Sequence, residues 1–365
     1  MINIIGAGPA GSFAAYSLAK AGYDVDIYED NNEVGKPVQC TGLVTSSILD
    51  VIKIKPEVIV NKIRHATIIS PNKKSVTISM QKPNIILSRC GFDKYVAELA
   101  QDAGAGIFVG TRFIRGTNKT WTVKKDNKVV EKIRGEKDYL IGADGPNTTV
   151  GKSFGLVKNH TLMYGAQASV VMKDMPQDTL EFYPLPEGYY WAVPEGNNIV
   201  RVGVAVYEHP NDHLKRILKM RCEHQKVLEY QGGIIPRYDP KIKTYDRENR
   251  VMLIGDAATQ VKWTTGGGII QGMIAAGCAA KAIVTKQNYE TLWRAKLGKE
   301  LWLHRKIRDV MDKFTYKDYD KLVELTSQAR VKKIFQENDR DQMMSFFFSV
   351  LLSEPRYLLF GRKLL

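Results

Sequence analysis

The start of the chain carries two short apolar runs separated by a segment of helical character. Ile2–Ile5 and Val25–Tyr28 are mostly apolar and β-branched or aromatic, while residues 12–19 are rich in alanine. Short runs of this kind indicate strands that are buried in a sheet. The pattern therefore predicts a strand, a helix and a second strand in close succession, which is the β–α–β unit of a parallel sheet.

Alternating and helical patterns follow one another along the rest of the chain. Residues 63–87 predict paired strands, 107–133 predict a meander, and 164–206 alternate as a half-buried antiparallel sheet does. Short apolar strands are predicted at 139–142 and 251–254, and helices at 92–103, at about 211–229, at 269–280 and from 290 onward. The mixture predicts a mixed α/β (α+β) fold.

Three glycines stand directly after the first predicted strand, at the spacing of a dinucleotide-binding loop. Gly6 permits the tight turn, Gly8 lets the backbone approach a pyrophosphate, and Gly11 lets the helix pack closely on the strand. Free N–H groups at the start of the next helix favour phosphate oxygens. Glu29 ends the second strand, where an acid accepts hydrogen bonds from an adenosine ribose. The order of these features predicts a dinucleotide site.

The charge of the chain is unusual, although its hydrophobic content of 44% and charged content of 25% are ordinary for a globular protein. Lys and Arg number 53 against 39 Asp and Glu, which gives a net charge of +14. Such a charge favours phospholipid headgroups or an acidic protein as partners, and a solvated lysine-rich surface is the alternative. Nucleic acid is not expected, because the lysines are scattered and no module of stacking aromatic residues is evident.

Cysteine spacing and hydropathy point to a cytoplasmic protein. The four cysteines form no CxxC pair and no zinc spacing, so reduced thiols and no metal site are expected. The dinucleotide loop begins so early that no signal peptide is expected before it. Residues 263–280 lack charge, but their helical part is too short to cross a bilayer and predicts a buried helix.

Two further glycine–aspartate segments, at 142–145 and 255–258, follow the glycine loop along the chain. Together the three segments resemble the set found in FAD flavoproteins of the p-hydroxybenzoate-hydroxylase type. In that family the second segment, here with Asp144, helps to hold the dinucleotide, and the aspartate of the third, here Asp256, contacts the ribityl chain. The resemblance implies FAD as the cofactor.

Within that superfamily the chain is similar to the geranylgeranyl reductases of archaeal membrane-lipid synthesis. The similarity covers residues 1 to about 290 and rests on the segments 36–42, 88–93, 188–194 and 264–269. It implies a prenylated glycerophospholipid as substrate. The residues expected along the FAD, besides the three glycines of the loop, are Ala10, Glu29, Cys40, Thr41, Gly42, Arg89, Phe113 (through its main chain), Asp144, Asp256, Gly267, Gly268 and Ile269.

The resemblance also implies how the chain divides. We expect a discontinuous Rossmann-type FAD-binding domain at 1–62, 85–160 and 245–289. An inserted antiparallel-sheet domain for the substrate is expected at 63–84 and 161–244. A helical C-terminal region is expected at 290–365.

Three residues are the candidates for catalysis. The faces of Tyr189 and Trp191 could stabilise positive charge on a prenyl carbon and line a dry channel, although aromatic residues in strands are commonly core. The aromatic segment of the family usually has Phe where this chain has Val193, which narrows the aromatic wall. Cys40 belongs to a loop that the family places beside the flavin, where a thiol could relay a proton; a buried cysteine without a chemical role is the alternative.

The sequence leaves more than one hypothesis open for the electron donor and for the reaction class. No second GxGxxG follows the first, so reduced ferredoxin or transiently bound NAD(P)H is expected to supply electrons. A basic aromatic segment near 346–363 could rest on a membrane face or pack as a core helix. The leading hypothesis is an FAD-dependent prenyl reductase. A flavin monooxygenase or halogenase, or a non-catalytic flavin-holding lipid-binding protein, are the alternatives.

Overall fold

The structure is a computed structural model, and it describes residues 1–337 and 343–364. Its strands in that part of the chain are β1 Ile2–Ile5, β2 Val25–Tyr28, β3 Leu43–Val44, β4 Ile59–Ile69, β5 Ser75–Leu87, β6 Gly106–Phe108, β7 Thr111–Gly116, β8 Thr120–Lys125, β9 Lys128–Ile133, β10 Tyr139–Gly142, β11 Leu162–Val171, β12 Thr179–Leu185, β13 Gly188–Gly196, β14 Ile199–Val206, β15 Val227–Pro236, β16 Tyr245–Asp246 and β17 Val251–Leu253.

The helices of the same residues include a long C-terminal series. They are α1 Pro9–Lys20, α2 Ile48–Val51, α3 Arg89–Asp102, α4 Thr149–Ser153, α5 Pro210–Cys222, α6 Ile269–Thr285, α7 Tyr289–Trp293, α8 Lys299–Met311, α9 Tyr316–Thr326, α10 Ala329–Glu337, α11 Met343–Ser353 and α12 Leu358–Gly361. A 3₁₀ turn spans Gly255–Ala258, and a π-helical turn, Arg294–Gly298, joins α7 to α8.

The predicted β–α–β unit forms the centre of a six-stranded sheet in the order β16-β17-β10-β1-β2-β6. Its strands are parallel except for β16 at one edge. Helices α1 and α6 cover one face with small side chains, and the meander β7–β9 packs over the other. Because parallel strands end at the same edge, the loops after β1, β2, β10 and β17 meet there.

The second sheet has eight strands in the order β15-β11-β14-β13-β12-β4-β5-β3. Neighbouring strands are antiparallel except β12 and β4. One face, which includes Tyr190 and Val202, packs on α5. Successive side chains of a strand point to opposite faces, so Tyr189, Trp191 and Arg201 lie on the other face, toward the dinucleotide loops. The sheet thus offers one structural face and one face for the site.

One expectation about the elements needs correction. The helix predicted at about 211–229 ends at Cys222, and residues 227–236 form the edge strand β15 instead. The predicted domain boundaries at 62/63 and 84/85 lie within β4 and β5, which pair with each other at these residues. The division into domains stays a prediction.

From Tyr289 onward the described residues form helices joined by short turns. Residues 338–342 and 365 of the predicted C-terminal region lie outside the described residues. Among the described helices, none has the length and apolar character that spanning a membrane requires. Helix α6, which contains most of the uncharged stretch, is mostly buried between α1 and α7.

Candidate functional site

The glycine loop after β1 is shaped by close backbone contacts. Gly6 has a φ of +103°, and a Cβ at Gly11 would lie 2.0 Å from the Gly6 carbonyl oxygen. A Cβ at Gly8, by contrast, would meet nothing within 4 Å. Gly8 is also the N-cap of α1, where free N–H groups gather. The loop is therefore tightly packed on its inner side and open where a pyrophosphate would approach.

Glu29 is held in place by the chain around it. Its carboxylate accepts hydrogen bonds from the Ala7 backbone N–H at 2.8 Å and from the Asn31 side chain at 2.7 Å. The Thr111 backbone N–H donates to the Glu29 carbonyl oxygen at 2.7 Å, which brings the start of β7 beside it. Phe113, two residues further along β7, turns its ring into the core against Trp121. Only its main chain is available for the contact predicted there.

Asp144 lies at the turn after β10. One carboxylate oxygen accepts hydrogen bonds from the backbone N–H groups of Thr149 and Val150, at 2.7 and 3.0 Å. The other oxygen is buried and has no hydrogen-bond partner in the described structure. Burial raises the pKa of Asp144 above its usual value. An unsatisfied buried acceptor at the end of a central strand fits a hydroxyl donor from a bound nucleotide.

Asp256 forms the floor of the cleft beside the start of α6. A Cβ at Gly268 would lie 2.8 Å from its carboxylate oxygen. Burial raises the pKa of Asp256 to about 6, against the opposing effect of the nearby Arg89 charge. Ala10 packs its methyl group on Gly255 and Gly272, so α1 and α6 approach each other closely at this point. The three predicted dinucleotide segments therefore meet in one cleft.

Arg89, at the start of α3, joins this cleft to the loop that carries Cys40. It makes a two-point ion pair with Asp93, with contacts of 3.1 and 2.8 Å. Burial opposes its charge, but the Asp93 carboxylate and the Cys40 thiol raise the guanidinium pKa above its usual value. The Cys40 sulfur also accepts the Gly42 backbone N–H at 3.4 Å. Cys40 therefore lies among groups that fix its position.

The eight-stranded sheet holds the same loop from the other side. The buried Arg201 donates from Nη1 to the carbonyl oxygens of Cys40 and Thr41, both at 2.9 Å. Its remaining N–H groups pair with Glu195. The Thr41 hydroxyl donates to Gln167 Oε1 at 2.8 Å. Arg201 thus fixes the backbone of the predicted flavin-facing loop, and Gln167 holds the Thr41 side chain.

The predicted aromatic wall lies on the inner face of β13. Tyr189 is buried, and burial raises the pKa of its phenol well above the usual value. The Trp191 ring lies across Gly203 of the neighbouring strand, where a Cβ would come within 2.4 Å of the ring. Its indole N–H is buried with no hydrogen-bond partner in the described structure. Val193 continues this face against Ile63, so it belongs to the sheet core.

The aromatic wall and the triglycine loop touch each other. A Cβ at Gly266, where φ is +69°, would lie 2.6 Å from the Tyr189 hydroxyl oxygen. The loop is a closed turn, in which Gly266 N–H donates to the Lys262 carbonyl and Lys262 N–H donates to that of Gly267. Gly268 and Ile269 follow at the start of α6. Only glycine accommodates this conformation so close to another side chain.

The residues in the cleft fit an FAD molecule. The open side of Gly8, the fixed carboxylate of Glu29 and the unsatisfied oxygen of Asp144 suit a pyrophosphate, a ribose and hydroxyl donors. Asp256 and the triglycine loop continue the same cleft toward Tyr189. The individual ligand contacts stay predictions. A channel for a prenyl chain beside Tyr189 also stays a prediction.

A cavity of about 230 Å³ lies between α2, α6 and α8, beside Lys262 at the base of the triglycine loop. It is lined by Val51, Ile270, Ile274 and Leu301 and by polar groups that include Lys262.

Sequence reasoning missed the buried polar residues that hold the site together. Arg201 belongs to an alternating strand and Arg308 to a basic helical region, while His304 has no motif partner in the sequence and was expected in a surface or core role. The available signal was their position: a charged or imidazole group on the apolar face of a strand or helix is seldom buried without a partner. Their partners are distant in sequence and leave no local pattern.

Comparison with known proteins agrees with this geometry. A family model described as an FAD binding domain matches residues 1–286. The chain is 30% identical to the digeranylgeranylglycerophospholipid reductase of Methanothrix thermoacetophila, over 91% of this chain and 93% of that one. The chain belongs to the digeranylgeranylglycerophospholipid reductase family. Its cofactor is FAD.

Solved structures similar to this family member share its fold. A geranylgeranyl bacteriochlorophyll reductase-like protein from Thermoplasma acidophilum has a TM-score of 0.85 at 23% identity, over 100% of this chain and 98% of that one. A p-nitrophenol 4-monooxygenase from Pseudomonas putida has a TM-score of 0.64 at 16% identity, over 100% and 97%. The predicted mixed α/β fold and the helical C-terminal region are confirmed.

Proposed function

We propose that this chain is an FAD-dependent reductase that saturates carbon–carbon double bonds in the geranylgeranyl chains of archaeal glycerophospholipids. Membership in the reductase family supports the substrate class. The observation that carries the proposal is the contact between the Tyr189 hydroxyl and the turn at Gly266. It brings an apolar aromatic wall against the loop that leads into the dinucleotide cleft.

The cleft residues divide the binding of FAD between them. The glycine loop and the start of α1 would hold the pyrophosphate, Glu29 the ribose, and Asp256 the ribityl chain. When bound, reduced FAD supplies a hydride to one carbon of the double bond. The chain itself must then orient the prenyl group, exclude water and deliver a proton to the other carbon.

The aromatic wall acts on charge at the reacting carbon. An isolated alkene is unpolarised, so positive charge develops at its tertiary carbon as the proton arrives. The ring faces of Tyr189 and Trp191 would stabilise that charge by about 1–2 kcal/mol where water is excluded. Both side chains lie on the inner face of β13, and Tyr189 is buried. The same rings would pack on the chain, at about 0.8 kcal/mol for each buried CH₂.

Cys40 is the proposed proton relay. Its sulfur is held by the Gly42 N–H, and its backbone is fixed by Arg201. Replacement by Ala is expected to slow proton delivery, while Cys90→Ala serves as the matched control because Cys90 is also half-buried. Equal activity of both variants would leave Cys40 without a chemical role.

The experiment that tests the proposal is an anaerobic turnover assay. Dithionite-reduced protein with bound FAD is mixed with a digeranylgeranyl glycerophospholipid, and mass spectrometry follows the gain of hydrogen. Saturation without oxygen is expected. Product that forms only when oxygen is supplied would favour the monooxygenase or halogenase alternative. Lipid binding without any turnover would favour the non-catalytic alternative.

Two variants of neighbouring tyrosines sharpen the test. Tyr189→Leu is expected to lower kcat about tenfold through loss of the desolvated ring contact, and Tyr189→Phe should lose less. Tyr190→Leu is the control, because Tyr190 is buried on the opposite face of β13 and forms a hydrogen bond with His213 Nδ1. It removes similar packing away from the cleft. A Tyr190→Leu protein that loses as much kcat would contradict the role of the aromatic wall.

We also propose that the protein works as a peripheral protein on the cytoplasmic membrane face, with reduced ferredoxin or NAD(P)H as electron donor. Phe348, Leu352, Leu358 and Leu359 are exposed near the basic Arg356, in a chain of net charge +14. Phe348→Ser/Leu352→Ser should reduce co-sedimentation with anionic vesicles, while neutral vesicles should bind weakly throughout. Unchanged sedimentation would contradict the membrane contact. Steady-state assays with reduced ferredoxin and with NAD(P)H would show which of the two supplies the electrons.

A further inference from the structure

Helix α8 carries three polar side chains at four-residue intervals on the side that faces the site. His304 and Arg308 are buried, and Asp312, just after the helix end, is largely covered. Residues four apart lie on one face of a helix. We call His304, Arg308 and Asp312 the α8 stripe. It lies beyond residue 286, where the match to the FAD-binding family model ends.

The first member of the stripe holds the triglycine loop, residues 262–268, which we call the flavin loop from here on. His304 Nδ1 forms a hydrogen bond of 2.7 Å with the Thr264 hydroxyl, and both groups are buried. Thr264 stands one residue before Thr265, which leads directly into the triglycine turn. Because both groups are buried, this hydrogen bond restrains the loop at its base.

The second member holds the turn before the aromatic strand. The fully buried Arg308 donates to the carbonyl oxygens of Leu185 at 2.8 Å, Pro186 at 3.0 Å and Gly188 at 2.9 Å. Gly188 directly precedes Tyr189 in the chain. A guanidinium presents its five donors in a rigid fork, so it fixes several carbonyl groups at once, which a lysine cannot do.

The third member ties the other two segments together. Asp312 accepts the Arg308 Nε–H at 2.6 Å and the Tyr207 hydroxyl at 2.5 Å. The Tyr207 ring packs on Trp263, with ring centroids 6.2 Å apart. Trp263 is the neighbour of Thr264, so both ends of the stripe lead to the same loop.

We propose that the α8 stripe sets the separation between the flavin loop and β13, the strand that carries Tyr189 and Trp191. Arg308 is then a positioning residue for prenyl reduction. The two segments meet where the Tyr189 hydroxyl contacts Gly266, and each is anchored to α8 by buried hydrogen bonds. The second half of this inference rests on the proposed function. It makes the C-terminal helical region part of the site.

The test compares Arg308→Lys with a matched control, Arg221→Lys. Arg221 of α5 makes a two-point ion pair with Glu181 of β12, at 2.8 and 3.0 Å, on the other face of the same sheet. Hydrogen–deuterium exchange is measured in peptides that cover 185–190 and 262–268, with and without FAD. FAD affinity, kcat and KM are measured on the same preparations.

Arg308→Lys is expected to speed exchange about tenfold in both peptides. The substitution removes hydrogen bonds from a charged donor to the carbonyl groups of residues 185–188. The flavin loop, which contacts this strand at Tyr189, then loses part of its support. FAD affinity should stay within about threefold, and kcat should fall about tenfold with little change in KM. Arg221→Lys should leave both peptides and kcat unchanged.

Faster exchange at 185–190 alone, with kcat unchanged, would overturn the proposal and leave Arg308 a local support of the hairpin. If Arg308→Lys fails to fold, Thr264→Val and Tyr207→Phe are measured instead. Each variant is expected to speed exchange in both peptides, 185–190 and 262–268. Faster exchange in only one of the two peptides would overturn the proposal. A wild type that reduces no prenyl lipid would defeat the proposed function, while coupled exchange would still support the stripe as the link between loop and strand.

Discussion

The two sheets build their halves of the site by different means. Around the six-stranded sheet, the cleft is formed by close approach of backbone at glycines, as between Gly11 and the Gly6 carbonyl. Around the eight-stranded sheet, it is formed by side chains that reach far along the chain, as from Arg201 to Cys40. The first half depends on the absence of side chains, and the second depends on buried charges with full sets of partners.

The largest expected effect comes from a substitution in the glycine loop of the six-stranded sheet. Gly11→Ala places a methyl group 2.0 Å from the Gly6 carbonyl oxygen, which we expect to cost more than about 5 kcal/mol of unfolding free energy. Gly8→Ala is the matched control, since its methyl group meets nothing within 4 Å. Urea unfolding of the apoprotein and fluorescence titration with FAD measure both variants.

Gly8→Ala should fold normally and bind FAD more weakly, because the methyl group would occupy the open side of the loop. If it binds FAD as tightly as the wild type, the pyrophosphate does not pass over Gly8.

A smaller effect is expected from loss of a buried side chain of the eight-stranded sheet. Arg201→Met leaves the partly buried Glu195 without its partner, which we expect to cost about 3–5 kcal/mol, and the double variant Arg201→Met/Glu195→Gln should recover much of it. The backbone of Cys40 also loses its anchor. Cys40 alkylation should therefore quicken relative to Cys90, which serves as the reference within the same chain. An unchanged ratio of the two rates would show that Arg201 does not restrain the loop.

The third effect separates stability from binding at Asp256. Burial raises the pKa of this carboxyl from 3.8 to about 6, so the folded protein holds the proton more tightly than the unfolded chain. Its contribution to the stability of the apoprotein is present below pH 3.8 and is lost as pH rises through about 6. The loss corresponds to about 3 kcal/mol at most, at 1.36 kcal/mol for each pKa unit.

Asp256→Asn should remove this pH dependence in urea unfolding of the apoprotein and should still weaken FAD binding. Superimposable pH profiles for the two proteins would contradict the raised pKa.

The smallest effect sharpens the account of the Cys40 loop. Thr41→Val removes the hydroxyl that donates to Gln167, which we expect to cost about 1 kcal/mol. Cys40 alkylation should quicken less than in Arg201→Met. A larger change than in Arg201→Met would make Gln167 the main anchor.

The contrast between local glycine contacts and side-chain contacts between distant residues explains which features were predictable from the sequence. The glycine loop, Glu29 and the β–α–β unit follow from neighbours in the chain, so local pattern was enough. Edge strand β15 was missed because its sheet partner is β11, which precedes it by about sixty residues, and its half-exposed residues resemble the polar face of a helix. Arg308 was missed because its partners at 185–188 belong to another element, and no local spacing records such a contact.

One feature of the C-terminal region limits how this family member can vary. Helices α7 and α8 are joined by the π-helical turn at 294–298, so they form one continuous rod from Tyr289, which donates to the Leu253 carbonyl at the central sheet. Each residue added or removed inside that rod rotates everything after it by about 100°. A single-codon deletion at 294–298 would therefore swing His304 and Arg308 away from the catalytic face, whereas length changes after Asp312 would leave their orientation intact.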